Sequence, residues 1–191
     1  MKNNLSEWLF QPFKRIAGIE AFVIGLIIAA FTAVIGSFSG VVFDGIIDVH
    51  FEKELTMSKS LICMVIDIVS LVLFMYLAGL IVAKGFRFVD MLGTMTLSRA
   101  PFILISIAGF IASPPAVQEI FRNPFVIFES KGFIVMMLLT IPVIFWVIIL
   151  MYRAFTITTG VNNTKSLVAF SFAFFVAELI SKLIILYIYI V

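Results

Sequence analysis

Apolar residues fall along this chain in five long runs separated by short polar stretches. Residues 21–43 and 132–152 carry no charge, 61–83 carry only Asp67, 91–112 only Arg99, and 167–191 the pair Glu178 and Lys182. A helix rising 1.5 Å per residue crosses about 30 Å of hydrocarbon in roughly 20 residues, so each run is long enough to span a bilayer. The pattern predicts an all-α, polytopic integral membrane protein: a bundle of five transmembrane helices forming a single domain over residues 1–191. Ahead of the first run, "LSEWLFQPFKRIAGIE" places Leu5, Trp8, Leu9, Phe13 and Ile16 at helical spacing beside Lys14 and Arg15. That predicts an N-terminal interfacial segment, with Pro12 limiting the length of any unbroken helix.

Composition strengthens this reading and removes several functions. The chain is 63% hydrophobic and 13% charged with 22 phenylalanines, and its mean hydropathy is +1.22, far from soluble globular domains. The lipid bilayer is therefore the first partner. A net charge of +2, spread thinly, points to no nucleic acid. His50 and Cys63 are the single residues of their kinds, so neither a disulfide nor a His/Cys metal site forms within one chain, and no cofactor is expected. The first span is longer than a signal-peptide core and lacks a small-residue cleavage site behind it, so it is expected to be retained. No GxSxG, HExxH or Gly-rich phosphate loop occurs, and the expectation is a non-enzymatic protein.

The charges inside the spans are the candidate functional residues, because an ionisable group at mid-bilayer costs at least about 2.5–3.5 kcal/mol and normally finds a partner. Counting 1.5 Å per residue from the same membrane face puts Arg99 at about 12 Å, Glu178 at about 17 Å, Lys182 at about 23 Å and Asp67 at about 24 Å. Depth thus predicts the pairs Arg99–Glu178 and Asp67–Lys182, with spans two, three and five around one polar seam. Glu178 and Lys182 also stand four residues apart on one helix face. Two neutralised pairs would fix helix register; titrating or ion-coordinating carboxylates would instead mark a transport pathway. Pro101 and Pro142 are candidate helix kinks, with Thr94, Thr96 and Ser98 at hand for freed carbonyls. Gly36 and Gly40, in "GSFSG", match the small-xxx-small pattern of helix packing, within the bundle or in a homo-oligomer.

Orientation follows from the basic residues. With the N-terminus cytoplasmic, Lys2, Lys14, Arg15, Lys84, Arg87, Arg153 and Lys165 gather on the inner side, against Lys53, Lys59, Arg122 and Lys131 outside. The bias favours N-in and C-out.

Five spans, the lead-in "LFQPFKRI", the third span opening "DMLGTMTLSRAPFIL" and the fourth running into "WVIILMYRAFTITTGVNNTKSLVAF" together resemble the Yip1 family in its bacterial form. The resemblance covers essentially the whole chain. It implies a five-helix membrane domain with a cytoplasmic N-terminus, in a bacterial inner membrane, that organises membrane or recruits a membrane-protein partner. Eukaryotic members are linked to prenylated small GTPases through a long soluble N-terminal region. Here about 20 residues precede the first span, which weighs against a small GTPase as partner. Two other functions use the same quartet of charges: a transporter or channel for protons, ions or a small solute, and a lipid-moving protein.

Overall fold

The computed structural model describes residues 5–52, 54–115 and 117–190. Five helices in it are long and apolar enough to cross a membrane, making this a multi-pass, all-α membrane protein. They are α2 (Gly18–Ser39), α3 (Met57–Val82), the pair α4 (Phe88–Ser98) and α5 (Phe102–Ala108), α7 (Lys131–Thr159) and α8 (Thr164–Ile190). Short helices α1 (Leu5–Phe10) and α6 (Val117–Arg122) lie outside the spans. The end at which α2 begins is called the near end and the opposite one the far end. Each long helix starts ahead of its apolar run, and α7 continues seven residues past it to Thr159, since helical hydrogen bonding carries on through polar residues beyond the apolar stretch.

Helices α2, α3 and α4–α5 form the centre, α8 packs on α3, α7 packs on α4–α5, and α7 and α8 scarcely touch. In a bilayer, helices associate through close backbone approach and interhelical hydrogen bonds rather than exclusion from water. Both devices are present. A Cβ added at Gly25 would sit 2.6 Å from the Leu97 backbone nitrogen and 2.9 Å from the Thr96 carbonyl carbon, so α2 and α4 meet backbone to backbone there. Ser60 Oγ donates to the Ala33 carbonyl at 2.8 Å and Ser106 Oγ to the Thr32 carbonyl at 3.0 Å, tying α3 and α5 to α2.

"GSFSG" does something other than pack two helices. Gly40 adopts φ +73° and ends α2, its N–H bonded to the Gly36 carbonyl, a left-handed conformation that favours glycine. Gly36 is buried against the following strand, where an added Cβ would lie 2.5 Å from the Val41 carbonyl oxygen. Both glycines thus serve the turn out of the helix, and the glycines that let α2 and α4 approach are Gly25 and Gly93. The turn leads into a hairpin of β1 (Val41–Val42) and β2 (His50–Phe51), antiparallel with Val41 opposite Phe51. Its tip, residues 43–49, folds back into the bundle, with Phe43, Gly45 and Ile46 buried. Irregular backbone survives at membrane depth only where protein encloses it and satisfies its polar groups.

Pro101 interrupts the third span as expected. Around it the chain tightens to three-residue hydrogen bonds, Ala100 N–H to Leu97 at 3.0 Å and Leu104 N–H to Pro101 at 3.0 Å, separating α4 from α5. The hydroxyls of Thr94, Thr96 and Ser98 bond carbonyls further upstream, at Asp90, Leu92 and Met95, rather than those that Pro101 frees. Pro142 leaves α7 a continuous helix.

The N-terminal segment is a short helix that ends ahead of Pro12, as expected. After α1 comes a turn at Pro12–Lys14, with Phe13 buried, and α1 leans on α7, where Trp146 Nε1 donates to the Leu9 carbonyl at 2.8 Å. Trp146 stands six residues, about 9 Å at 1.5 Å per residue, from the end of the apolar run of α7 at Tyr152. The cause is local: Pro12 breaks the helix so that it can fold back, and an indole N–H in apolar surroundings needs an acceptor. Leu5's side chain, together with Lys2 and Lys53, falls outside the described positions.

Candidate functional site: a buried charge pair capped by a re-entrant hairpin

Arg99 lies at the break between α4 and α5, where the tightened turn leaves its side chain free to run along the bundle interior. Its guanidinium donates to Asp67 Oδ2 of α3 at 3.0 Å and to the Ile46 carbonyl of the hairpin tip at 2.9 Å, and it packs over the Phe102 ring at 5.1 Å. Asp67 Oδ1 accepts from Ser181 Oγ of α8 at 2.5 Å. The two side chains are 4% and 0% exposed. One buried network therefore joins α3, α4–α5, α8 and the hairpin. A void of about 20 Å³ touches Arg99, room for about one water molecule.

The other two members of the quartet lie further out and bind the hairpin. Glu178 Oε2 accepts from the Ile47 N–H at 3.1 Å, and its carboxylate rests against Gly45, where an added Cβ would push it aside. Lys182 pairs with Asp48. Burial pushes the Asp48 carboxyl up, but the hydrogen bond from the Lys182 ammonium and the nearby His50 outweigh it and hold the group below its ordinary 3.8. His50 Nδ1 bonds Asp44 Oδ1 at 2.6 Å, and Lys59 pairs with Glu52 at 2.7 Å beneath the Tyr189 ring.

The structure thus gathers all four predicted residues on one seam and overturns both predicted pairs: Arg99 meets Asp67, not Glu178, and Lys182 meets Asp48, not Asp67. Two physical reasons account for the exchange. A depth counted along Cα atoms ignores the length of an arginine, whose head reaches several ångströms from its helix. The count also treated residues 44–54 as an external loop, whereas their backbone and carboxylates supply three of the partners. A signal for this was present in "FDGIIDVHFEKEL": the run Gly-Ile-Ile between Asp44 and Asp48 is an apolar tip flanked by acids, suited to insertion. Ser181 also stood three residues from Glu178, on the same face of α8.

The ligand atoms of Asp44, Asp48 and His50 lie within 4.8 Å of one another. Dismissal of a metal on the count of His and Cys overlooked these carboxylates. Asp48 is already engaged by the Lys182 ammonium and His50 by Asp44, so the group is internally balanced. Cys63 is buried and joins an apolar cluster with Val42, Leu55 and Ile185. Among the described residues the interior network presents neither an exposed base nor a nucleophile.

Comparison with known proteins leaves the chain on its own: no family model, no curated protein and no solved structure matches it. The fold and site define a class, a five-span membrane protein organised around a buried ion pair.

Proposed function

We propose that this is a Yip1-like, non-enzymatic protein of a bacterial cell membrane, N-terminus cytoplasmic and C-terminus outside, that organises membrane or binds a membrane-protein partner through helix-helix contacts. The observation that carries the reading is the burial of Arg99 and Asp67: both are hydrogen-bonded to protein groups, and the adjoining void is too small for a pathway. A transport route needs charges that titrate or coordinate cargo along a wet channel. Here the charges hold four segments in register, which leaves the bilayer-facing surface as the working part. Lys14, Arg15, Lys84, Arg87 and Lys165 lie toward the near end, in keeping with a cytoplasmic near end.

The test is flux from proteoliposomes of the purified protein, read with a pH dye, an ionophore-set potential and a fluorescent lipid. No proton, ion or lipid movement above that of empty vesicles is the expected result. A proton or ion leak abolished by Asp67→Asn would replace the scaffold reading with transport, and lipid transfer alone would replace it with lipid movement.

A further inference from the structure

A second site stands at the far end, apart from the buried pair. A half-enclosed cavity of about 490 Å³ opens between the hairpin, the start of α3 and the end of α8, within the roughly 300–1,000 Å³ range of small-molecule sites. Its polar side presents Asp44 and Glu52 from the hairpin, Lys59 from α3 and Lys182 from α8. His50 and Tyr189 also face it, and the rest of the wall is apolar, formed chiefly by Leu179, Leu183 and Leu186.

We propose that this cavity holds the headgroup of an aminophospholipid of the phosphatidylethanolamine type. Three features select that occupant. First, cations and carboxylates line the same cavity, so an occupant carrying both signs is matched at both ends. An ammonium keeps three N–H donors, so Lys59 and Lys182, each sharing some with Glu52 and Asp48, retain donors for a phosphate. Asp44 and Glu52 offer acceptors to a primary amine. Second, a carboxylate is recognised by N–H donors, which ethanolamine has and choline lacks. Third, the apolar wall continues as a stripe: Leu186, Leu183, Leu179, Phe175 and Phe172 repeat at three- or four-residue spacing along α8, and each is half or more exposed. An acyl chain hung from the headgroup runs down that stripe toward mid-membrane, which a soluble zwitterion cannot use.

This inference does not rest on the scaffold reading, since a resident lipid is compatible with a silent or a conducting protein. Its test is native mass spectrometry of the purified protein with phosphatidylethanolamine, phosphatidylcholine and phosphatidylglycerol of the same acyl chains. Phosphatidylethanolamine is expected to be retained about tenfold more strongly than either, a difference of about 1.4 kcal/mol. Asp44→Asn with Glu52→Gln should erase the preference over phosphatidylcholine, while Lys182→Gln should weaken all three lipids and Lys182→Arg should restore them. Equal retention of the three lipids by the wild-type protein overturns the proposal, and that comparison decides the matter even if a variant fails to fold. A preference unchanged in the folded double variant overturns it too.

Discussion

Two ion pairs of similar chemistry occupy opposite situations in this molecule. Arg99 and Asp67 are 4% and 0% exposed, whereas Lys182 and Asp48 at the far-end rim are 40% and 31% exposed. Inside, the two charges keep almost no contact with solvent, and Asp67, the Ile46 carbonyl and Ser181 supply their hydrogen bonds. At the rim, water or a lipid headgroup can replace either partner. The difference teaches that what a charge pair contributes is set less by the pair than by what its members would face alone.

The largest expected effect follows from that contrast. Arg99→Ala or Asp67→Ala leaves the other charge buried without a partner and should cost about 3–5 kcal/mol. Replacing both with apolar residues of similar volume, Asp67→Leu with Arg99→Met, should recover most of the loss. Unfolding followed by helical circular dichroism in mixed micelles measures both. The contrast fails if Arg99→Ala costs no more than Lys182→Gln.

Next in size is the wall that keeps the interior pair dry. Gly25 meets the backbone of Thr96 and Leu97, three and two residues before Arg99, and backbone cannot step aside as a flexible side chain can. Gly25→Val should therefore cost about 1–3 kcal/mol by overpacking. It should also open the seam, speeding amide hydrogen exchange around Arg99 while leaving the hairpin rim unchanged. Faster exchange at the rim alone would show that α2 does not seal the interior.

Much of this was legible in the residues and some was not, for identifiable reasons. Five spans follow from runs of about 20 apolar residues, since hydrocarbon thickness dictates the length. The break at Pro101 was legible as a missing N–H. Pro142 lacks the same donor and α7 runs on through it, so the missing N–H marks a site where a helix can break without deciding that it does. The four seam residues were found because charge in a span is costly. Their partners were not, because pairing depends on side-chain reach and on a loop that re-enters the bundle, and hydropathy sees neither. Gly36 and Gly40 illustrate the same limit: small-residue spacing identifies a close approach without saying to what. Gly25 and Gly93 instead bring the backbones of α2 and α4 together, because of where those helices cross.

The hairpin can be disturbed without touching either pair. Gly40 ends α2 at φ +73°, a conformation that costs an ordinary residue about 1–2 kcal/mol. Gly40→Ala should thus lower stability by about 1 kcal/mol and loosen the tip that carries Asp48. Retention of the Arg99–Asp67 contact together with a weakened Lys182–Asp48 contact, measured by a double-mutant cycle at each pair, is the expected pattern. Equal weakening at both would mean that the interior pair depends on the hairpin as heavily as the rim pair does.

The smallest effect is also the most diagnostic, because solvent access alone separates the pairs here. Asp48 has a folded-state pKa below its ordinary value of 3.8, so it contributes stability while ionised. That contribution is complete at pH values above the ordinary one and disappears as pH falls through the lower folded-state value. For a rim pair exposed to this degree it amounts to at most about 1 kcal/mol. Other carboxylates titrate in the same window, so the quantity to measure is the stability difference between wild type and Asp48→Asn as a function of pH and salt. The difference should shrink below pH 4, and shrink also in high salt at pH 7, where screening lengths fall to a few ångströms. Salt should leave the cost of Arg99→Ala unchanged, because counterions do not reach a pair enclosed by protein; a salt-dependent cost there would mean that the interior is wet.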